Sequence, residues 1–469
     1  MNTDKVCSDP QPPNLGGTQG ARGNFGSKIG IVLATAGSAV GLGNVWRFPY
    51  TAGENGGAAF ILIYIGCILV LGIPGMVSEF IVGRHAQANA ARAYDVLSNG
   101  RPWKFVGYLG ILTSTIILGF YAVVAGWCLQ YLWASLAGQL SGDAEYVKSY
   151  FVAFSSDPWK PTLWGVAFIL ITHLVIVRGV QKGIERASKL LMPILFILLL
   201  ILVVASCLLP GAVEGIKFLL HPDFSKLSSS VLLEALGQAF FSLSLGTACL
   251  CTYASYFSKD TNLLRSAGQI AIIDTMIAIL SGLMIFPAAF SVGVNPDSGP
   301  SLIFITLPNV FQQAFAAMPV AGYVISIMFY ALLVFAALTS TISMHEITTA
   351  FFTEEFNMPR KKSAWIETIV TMLLCIFCSL SVGAWADLKV MGLSLMDFCD
   401  HLTANYLLPL GAMLACLFVG WYIPKQVVCS EFTNNGQLKG YLFEFYLFAV
   451  RVVCPIGISL IFLHQLGIV

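Results

Sequence analysis

Long apolar runs recur along the chain and are separated by short polar segments. About 20 apolar residues are needed for a helix to cross the hydrocarbon core of a bilayer. The pattern therefore predicts an all-α polytopic membrane protein. Its eleven predicted spans lie at residues 29–50, 57–83, 105–135, 161–177, 190–209, 233–257, 266–291, 321–350, 364–383, 398–420 and 443–465.

Lys and Arg residues separate into alternate loops between these spans. One set of loops is rich in them, whereas the other holds few, such as Lys148, Lys160, Lys217 and Lys226. Because cytoplasmic loops carry the positive excess, the N-terminus is predicted inside and, after an odd number of spans, the C-terminus outside. The basic set comprises Arg84, Arg92, Arg101, Lys104, Arg178, Lys182, Arg186, Lys189, Lys259, Arg265, Arg360, Lys361 and Lys362.

The first span is interrupted near its middle. Residues 36–50 read AGSAVGLGNVWRFPY, so that glycines, Asn44 and Arg47 stand among apolar residues. One glycine alone is explained by close helix packing, but this run with an Asn and an Arg is harder to assign to packing and favours a function. A helix breaks in hydrocarbon only where it lines a protein-enclosed or watery cavity, because every backbone polar group needs a partner. We therefore expect a transporter binding site here.

A second interruption occurs in the sixth span, where Gln238, Ser242, Ser244, Gly246 and Thr247 fall inside an apolar run. Breaks in the first and sixth spans are typical of two five-span repeats that are inverted in the membrane. We divide the chain into a cytoplasmic tail (1–23), a first five-span repeat (24–210), a second inverted repeat with its external loops (211–424), and a cytoplasmic loop with the eleventh span (425–469).

Two later spans carry polar groups suited to cations. Asp274 lies in the apolar context of the seventh span, where an unpartnered carboxylate would take up a proton or bind a cation. A structural hydrogen bond is the alternative. In the eighth span, Thr339, Ser340 and Thr341 place three hydroxyls within one turn, and hydroxyl and carbonyl oxygens are the ligands of hard cations. Back-bonding to the helix explains such hydroxyls equally well.

Other polar residues in the spans are less informative. Glu79, His345 and Glu346 lie toward the cytoplasmic ends, where a solvated vestibule or a structural hydrogen bond accounts for them. Most of the 12 cysteines lie inside apolar runs, as small buried hydrophobic residues do.

Composition narrows the class of protein. The chain is 57% hydrophobic and only 10% charged, which excludes an ordinary soluble globular protein. Its net charge of +1 gives no electrostatic basis for nucleic-acid binding. It has no Gly-x-Ser-x-Gly elbow, His-Glu-x-x-His or phosphate-binding Gly-x-x-x-x-Gly-Lys, so an enzyme is not expected. Transport is then driven by ion gradients or is passive.

With these motifs in view, the chain resembles the neurotransmitter:sodium symporter family, especially its bacterial amino-acid transporters. The resemblance runs from about Arg22 to the tenth span. Its most specific motifs are Gly37 to Tyr50, Glu54 to Gly57, Arg178 to Glu185 and Phe240 to Gly246. It implies the leucine-transporter-like fold with discontinuous first and sixth helices, and residence in the bacterial inner membrane.

The resemblance implies two sodium sites. The first would use the carbonyl of Ala39, the side chains of Asn44, Ser242 and Asp274, and the substrate carboxylate. The second would use oxygens of residues in the first and eighth spans. These are carbonyls of Gly37, Val40 and Ala336 and hydroxyls of Thr339 and Ser340.

The resemblance also implies where the substrate binds. Its carboxylate would meet Tyr121 and the N–H groups near Leu42 and Gly43, and its amine the carbonyls near Phe241 and Ser244. The implied substrate site comprises Ala39, Leu42, Gly43, Ile117, Tyr121, Phe241, Ser242, Ser244, Thr247, Ser340, Ser343 and Met344. Thr247 replaces a bulky apolar residue common in the family, which favours a large hydrophobic or aromatic neutral L-amino acid.

The remaining implications concern chloride and gates. Asp274 replaces a common Asn, so a fixed carboxylate would stand in for chloride, and we expect chloride-independent transport. Tyr64, Gln238 and Ser242 would mark the place of the anion. The outer gate would pair Arg47 with Asp400 or, one turn earlier, Asp397, under an aromatic lid of Phe48 or Phe241. The inner gate would pair Arg22 with Glu354.

The preferred interpretation is sodium-coupled uptake of an amino acid by alternating access. A symporter for another small amine or osmolyte, a non-transporting receptor on the same fold and a passive channel remain alternatives. Substrate choice rests on few pocket contacts. The absence of an acidic residue at Ser38 and Ala39 disfavours a monoamine. The partners expected are the amino acid and the lipid bilayer, and the oligomeric state is left open.

Overall fold

The computed structural model describes residues 25–226, 228–293 and 302–465, and these ranges are built from helices joined by short turns. The helices of the first half are α1 Lys28–Ala39, α2 Gly43–Glu54, α3 Ala58–Ala86, α4 Ala90–Leu97, α5 Lys104–Leu136, α6 Ala144–Ser156, α7 Lys160–Ile176, α8 Val180–Cys207 and α9 Ala212–Leu220. Those of the second half are α10 Ser229–Ser242, α11 Cys249–Ala254, α12 Leu263–Ser291, α13 Leu307–Ala314, α14 Pro319–Glu355, α15 Arg360–Val382, α16 Leu395–Tyr422, α17 Lys425–Thr433 and α18 Phe443–His464.

Eight of these helices are each long and apolar enough to span a bilayer. Two bent pairs, α1 with α2 at 54° and α6 with α7 at 74°, bring the number to as many as ten in the described residues. The α10–α11 segment does not qualify because the predicted interruption leaves two short helices. The membrane-spanning helical architecture is confirmed, and the count of eleven spans stays a prediction.

Local sequence sets several helix boundaries. The Ser27 side chain accepts a hydrogen bond from the Gly30 N–H at the start of α1, and Asn262 does the same for Arg265 at the start of α12. Such caps satisfy backbone donors that a helix leaves free in its first turn. The short helices α6, α9 and α13 fall in regions that the apolar pattern assigned to loops.

The long helices α5 and α14 pack against each other at the centre of the molecule, with α7 and α15 against their outer faces. On the opposite side, α1 contacts α8, α12 and α14, and α2 contacts α12. The ends of α1, α2, α10 and α11 therefore meet inside the helix bundle. This arrangement places both predicted breaks next to the same cavity.

Candidate functional site

The first helix break exposes backbone groups that side chains then bind. Val40 adopts an extended backbone after α1, and α2 opens with a π-helical turn over Gly43–Arg47. The Asn44 Oδ1 accepts a hydrogen bond from the Gly41 N–H at 3.1 Å, and the Tyr121 hydroxyl accepts one from the Leu42 N–H at 3.0 Å. Tyr121 thus contacts the segment where the substrate carboxylate was predicted to bind.

The second break lies between α10 and α11, and three of its residues have positive φ: Ser244 (53°), Gly246 (81°) and Ala248 (61°). At Gly246 a Cβ would lie 2.2 Å from the Leu408 carbonyl oxygen, so no other residue fits. The freed Gly246 N–H donates to Glu79 Oε1 at 2.7 Å. Glu79, set aside on sequence grounds, therefore holds this break in place.

Asp274 of α12 joins the two breaks. Its Oδ1 accepts a hydrogen bond from Asn44 Nδ2 at 2.7 Å, and its Oδ2 accepts one from the Ser242 hydroxyl at 2.7 Å. The Tyr64 hydroxyl donates to Oδ2 at 3.2 Å. The predicted ligands Asn44, Ser242 and Asp274 are therefore gathered at one point, and the carboxylate accepts hydrogen bonds from Tyr64 and Ser242, two of the residues predicted to mark the place of an anion. Gln238, the third residue predicted to mark that place, donates instead to the Gly43 carbonyl at 3.4 Å.

The other predicted sodium ligands also meet. The Val40 carbonyl accepts from the Thr339 hydroxyl at 3.4 Å and from the Ser340 hydroxyl at 3.2 Å. Thr339 donates as well to the Ala336 carbonyl at 3.0 Å, and a Cβ at Gly37 would lie 3.3 Å from Thr339 Cβ. Oxygen atoms from the broken α1 and from α14 therefore face each other, as a hard cation requires.

A cavity lies between the breaks, α5 and α14. Eleven of the twelve predicted substrate residues line it; the exception, Leu42, contacts Tyr121 through its backbone. Four further residues of the lining were not among the predicted substrate residues, although Ser38 and Gly41 lie in the interrupted segment of the first span. These are Ser38, Gly41, Cys249 and Leu408.

Thr247 contributes less polarity to the cavity than its hydroxyl suggested. That hydroxyl donates to the Ser244 carbonyl at 2.7 Å and accepts from the Cys249 N–H at 3.1 Å. The side chain thus closes the turn that begins α11. Its small size, and not a free hydroxyl, is what it brings to the cavity.

At the predicted outer gate, the Arg47 guanidinium lies over the Phe241 ring, 4.4 Å from its centroid. Phe241 and Leu408 line both the central cavity and a second cavity that includes Arg47, so they form the partition between the two. Phe48 is fully buried against Phe60 and Tyr64, which disfavours it as the lid.

The acids predicted for the outer gate are both near the start of α16. Asp397 Oδ2 accepts from the Ser394 hydroxyl at 2.6 Å. Among the described residues, Arg47 makes no ion pair with Asp397 or with Asp400 in this conformation. Pairing of Arg47 with either acid on closure stays a prediction.

For the predicted inner gate, Arg22 lies outside the described residues. Its predicted partner Glu354 accepts hydrogen bonds from the Asn89 N–H at 2.6 Å and from Asn89 Nδ2 at 3.1 Å. A second inner contact was not predicted as a pair: Glu346 Oε1 accepts from Arg360 at 2.9 Å and from the Tyr256 hydroxyl at 2.8 Å. The sequence did give a hint of this pair, because acidic residues near the end of α14 are followed closely by basic residues at the start of α15.

Comparison with known proteins agrees with this geometry. The model of the sodium:neurotransmitter symporter family matches residues 22–152 and 156–468. An uncharacterised sodium-dependent transporter of Bacillus subtilis, YhdH, is 41% identical over 95% of this chain and 98% of its own. Another from Haemophilus influenzae is 34% identical over 95% of this chain and 98% of its own.

A solved structure provides the same match in three dimensions. The crystal structure of MhsT in complex with L-phenylalanine superposes with a TM-score of 0.86 at 41% identity, over 94% of this chain and 99% of that one. The chain therefore belongs to the sodium:neurotransmitter symporter family, whose members are membrane transporters and not enzymes.

Proposed function

We propose that this protein imports a neutral L-amino acid with a large hydrophobic or aromatic side chain, coupled to sodium and independent of chloride. The observation that carries the proposal is the hydrogen-bonded cluster of Asn44, Ser242 and Asp274, which joins both helix breaks beside the cavity. A substrate carboxylate and a sodium ion placed there would each stabilise binding of the other.

We propose two sodium positions, which the contacts support. One uses the Ala39 carbonyl with the Asn44, Ser242 and Asp274 side chains, and shares its ion with the substrate carboxylate. The other lies between α1 and α14, where the Thr339 and Ser340 hydroxyls face the Val40 carbonyl. The ligand types in both are oxygen atoms, as sodium prefers.

The nature of the substrate is inferred from the cavity and from MhsT. Ile117, Phe241 and Met344 give the cavity apolar walls, and the small Thr247 leaves room between them. MhsT, which is 41% identical, has been crystallised with L-phenylalanine. A large apolar side chain fits these walls better than a charged one, because no acidic or basic side chain lines the cavity in the described residues.

Sodium coupling supplies the work of uptake. Each charge that crosses the membrane gains about 2.3 kcal/mol per 100 mV. Two sodium ions entering with a zwitterion would gain roughly 4.6 kcal/mol, or about three decades of accumulation before any sodium gradient is counted. From the resemblance to bacterial transporters we place the protein in the bacterial cytoplasmic membrane. The distribution of basic loops supports an N-terminus inside and a C-terminus outside.

Alternating access would use the contacts at both ends of the cavity. Phe241, with Arg47 over its ring, forms the outer lid, and closure would bring Arg47 to Asp400 or Asp397. On the inner side we propose that Arg22 and Glu354 pair when the cytoplasmic path is shut.

Uptake into proteoliposomes tests the proposal. A panel of labelled amino acids is offered with an inward sodium gradient, and with choline in place of sodium. We expect concentrative uptake of a large neutral amino acid only with sodium. Binding without uptake would instead identify a receptor, uptake of an amine or osmolyte alone would identify a different symporter, and unsaturable uptake without sodium would identify a channel.

A further inference from the structure

A second buried carboxylate lies away from the central cavity, between α5, α14 and α15. Glu367 of α15 is 1% exposed, and its Oε1 accepts hydrogen bonds from the hydroxyls of Thr115 at 3.3 Å and Thr371 at 3.2 Å. The Thr115 hydroxyl is also 3.0 Å from the Thr348 hydroxyl. We name these four residues the Glu367 cluster.

The three hydroxyls of the cluster are directed differently from other threonine hydroxyls in the same helices. Thr113 donates to the Leu109 carbonyl and Thr353 to the Thr349 carbonyl, each at 2.7 Å, as hydroxyls in helix interiors commonly do. Those of the cluster make their hydrogen bonds only to one another and to Glu367 in the described structure. Hydroxyls of α5 and of α15 itself thus bind a single carboxylate, and the α14 hydroxyl of Thr348 is linked to it through Thr115.

The charge of this carboxylate is not balanced by a side chain. His345 of α14 and His173 of α7 both contact the hydroxyl of Thr368 and not Glu367. Arg360 pairs with Glu346, and no cationic side chain of the described residues forms an ion pair with Glu367. A carboxylate in the membrane interior is costly unless a proton or a cation neutralises it.

The second oxygen of Glu367 distinguishes these two possibilities. Glu367 Oε2 is buried and has no hydrogen-bond partner in the described structure. A proton on Oε2 would become a buried donor without an acceptor, and a bare Oε2 would remain a buried acceptor without a donor, each at a cost of about 1–3 kcal/mol. A cation bound between both carboxylate oxygens and the three hydroxyls would satisfy every one of these atoms.

We propose that the Glu367 cluster is a sodium-binding site, separate from the two positions given under Proposed function. The ligands that the cluster offers are all oxygen atoms, as a hard cation prefers, and its single carboxylate balances the charge of a monovalent ion. Thr115 precedes Tyr121 on α5, and Thr348 follows Ser340 on α14. A sodium ion in the cluster therefore ties together two helices that line the central cavity.

Equilibrium binding of radioactive sodium to the purified protein tests this site without substrate. Sodium bound per protein is measured at saturation, at constant pH and with choline keeping the ionic strength constant. We expect Glu367→Gln to bind one sodium ion fewer than the unmodified protein. The matched control Glu145→Gln, which alters an exposed acid of α6, keeps the full number.

A second variant keeps the carboxylate. Thr371→Val removes one hydroxyl from the cluster, and we expect the sodium affinity of one class of sites to fall by about tenfold, which corresponds to about 1.4 kcal/mol. This variant decides the question if Glu367→Gln does not give a monodisperse protein in detergent.

Equal sodium stoichiometry in folded Glu367→Gln and the unmodified protein would overturn the proposal, as would an unchanged sodium affinity in Thr371→Val. The result is separable from the proposed function. If substrate binding by the unmodified protein did not depend on sodium, the symport proposal would be refuted. The difference in sodium stoichiometry between the unmodified protein and Glu367→Gln would still test the site.

Discussion

Asn44 and Asp274 are joined by a hydrogen bond of 2.7 Å although 230 positions separate them in the sequence. Asn44 Nδ2 also contacts the Asp274 carbonyl at 3.2 Å and the Ser242 hydroxyl at 3.1 Å. The side chain at the start of α2 is thereby fixed to α12 and to the end of α10. We therefore expect a change at any of these three residues to affect both helix breaks.

Asp274 supports the first prediction. Asp274→Asn removes the fixed negative charge but leaves the Tyr64 and Ser242 hydroxyls that now donate to it. We expect uptake by this variant to become dependent on chloride, because an anion would replace the lost carboxylate. Uptake is measured with chloride and with gluconate as the anion. The unmodified protein and the exposed-acid control Glu145→Gln should not respond, and an Asp274→Asn variant that transports equally in both media contradicts the prediction.

The second prediction concerns Ser340 as a sodium ligand. Its hydroxyl donates to the Val40 carbonyl at 3.2 Å from a position where we place a sodium ion. Ser340→Ala removes one oxygen ligand, so the sodium concentration for half-maximal uptake should rise by about tenfold. The matched control is Thr353→Val on the same helix, whose hydroxyl donates to the helix carbonyl of Thr349. Equal sodium dependence of both variants would rule out Ser340 as a ligand.

The third prediction concerns Glu79, whose Oε1 accepts a hydrogen bond from the Gly246 N–H at 2.7 Å. Glu79→Leu leaves that buried N–H without an acceptor, at a cost of about 1–3 kcal/mol, and should abolish most uptake. Glu79→Gln keeps an oxygen acceptor of the same reach and should retain the greater part of it. Uptake and melting temperature are measured together. Similar losses in the two variants would show that the charge, and not the hydrogen bond, matters.

Glu431 of α17 supports a prediction about pH. Burial by itself would raise the pKa of this carboxyl, but its hydrogen bond to His85 and the charges of Arg84 and Lys259 lower the pKa to about 2. A lowered pKa stabilises the fold above the ordinary value of about 4.5, and this contribution disappears as the pH falls toward 2. It amounts to roughly 3 kcal/mol.

Glu431→Gln should therefore lower the melting temperature in detergent at pH 7, where it also leaves Arg84 buried without its counterion. The difference from the unmodified protein should narrow between pH 4.5 and pH 2. The control is Glu444→Gln, which alters an exposed partner of Lys425 and should have little effect. A difference in melting temperature that does not vary with pH would contradict the lowered pKa of Glu431.

Composition and apolar spacing were sufficient to predict the class of fold and the two helix breaks. The run from Gly37 to Gly43 and the polar residues from Gln238 to Thr247 interrupt apolar helices where hydrocarbon tolerates no free backbone groups. The structure breaks the helices at these segments, after Ala39 and after Ser242. Both breaks were predictable because any membrane span must satisfy its backbone hydrogen bonds, so an interruption by polar residues and glycines is informative.

Contacts that neither a motif nor the family resemblance indicated could not be predicted from the sequence. Glu79 binds Gly246 across 167 positions, and Glu346 binds Arg360 across a tight helical hairpin. Each acid alone is equally consistent with a solvated vestibule. The cavity residues Cys249 and Leu408 carry no periodic or charge signal, since small and apolar residues pack helices throughout membrane proteins.

The most direct test of the central claim is the affinity of the purified protein for a labelled large neutral amino acid, measured as sodium is replaced by choline. If sodium and the substrate carboxylate share a site at the two helix breaks, each must strengthen binding of the other. We expect substrate affinity to fall by at least about tenfold when sodium is removed. An affinity that does not change with sodium would contradict the shared site and the coupling that depends on it.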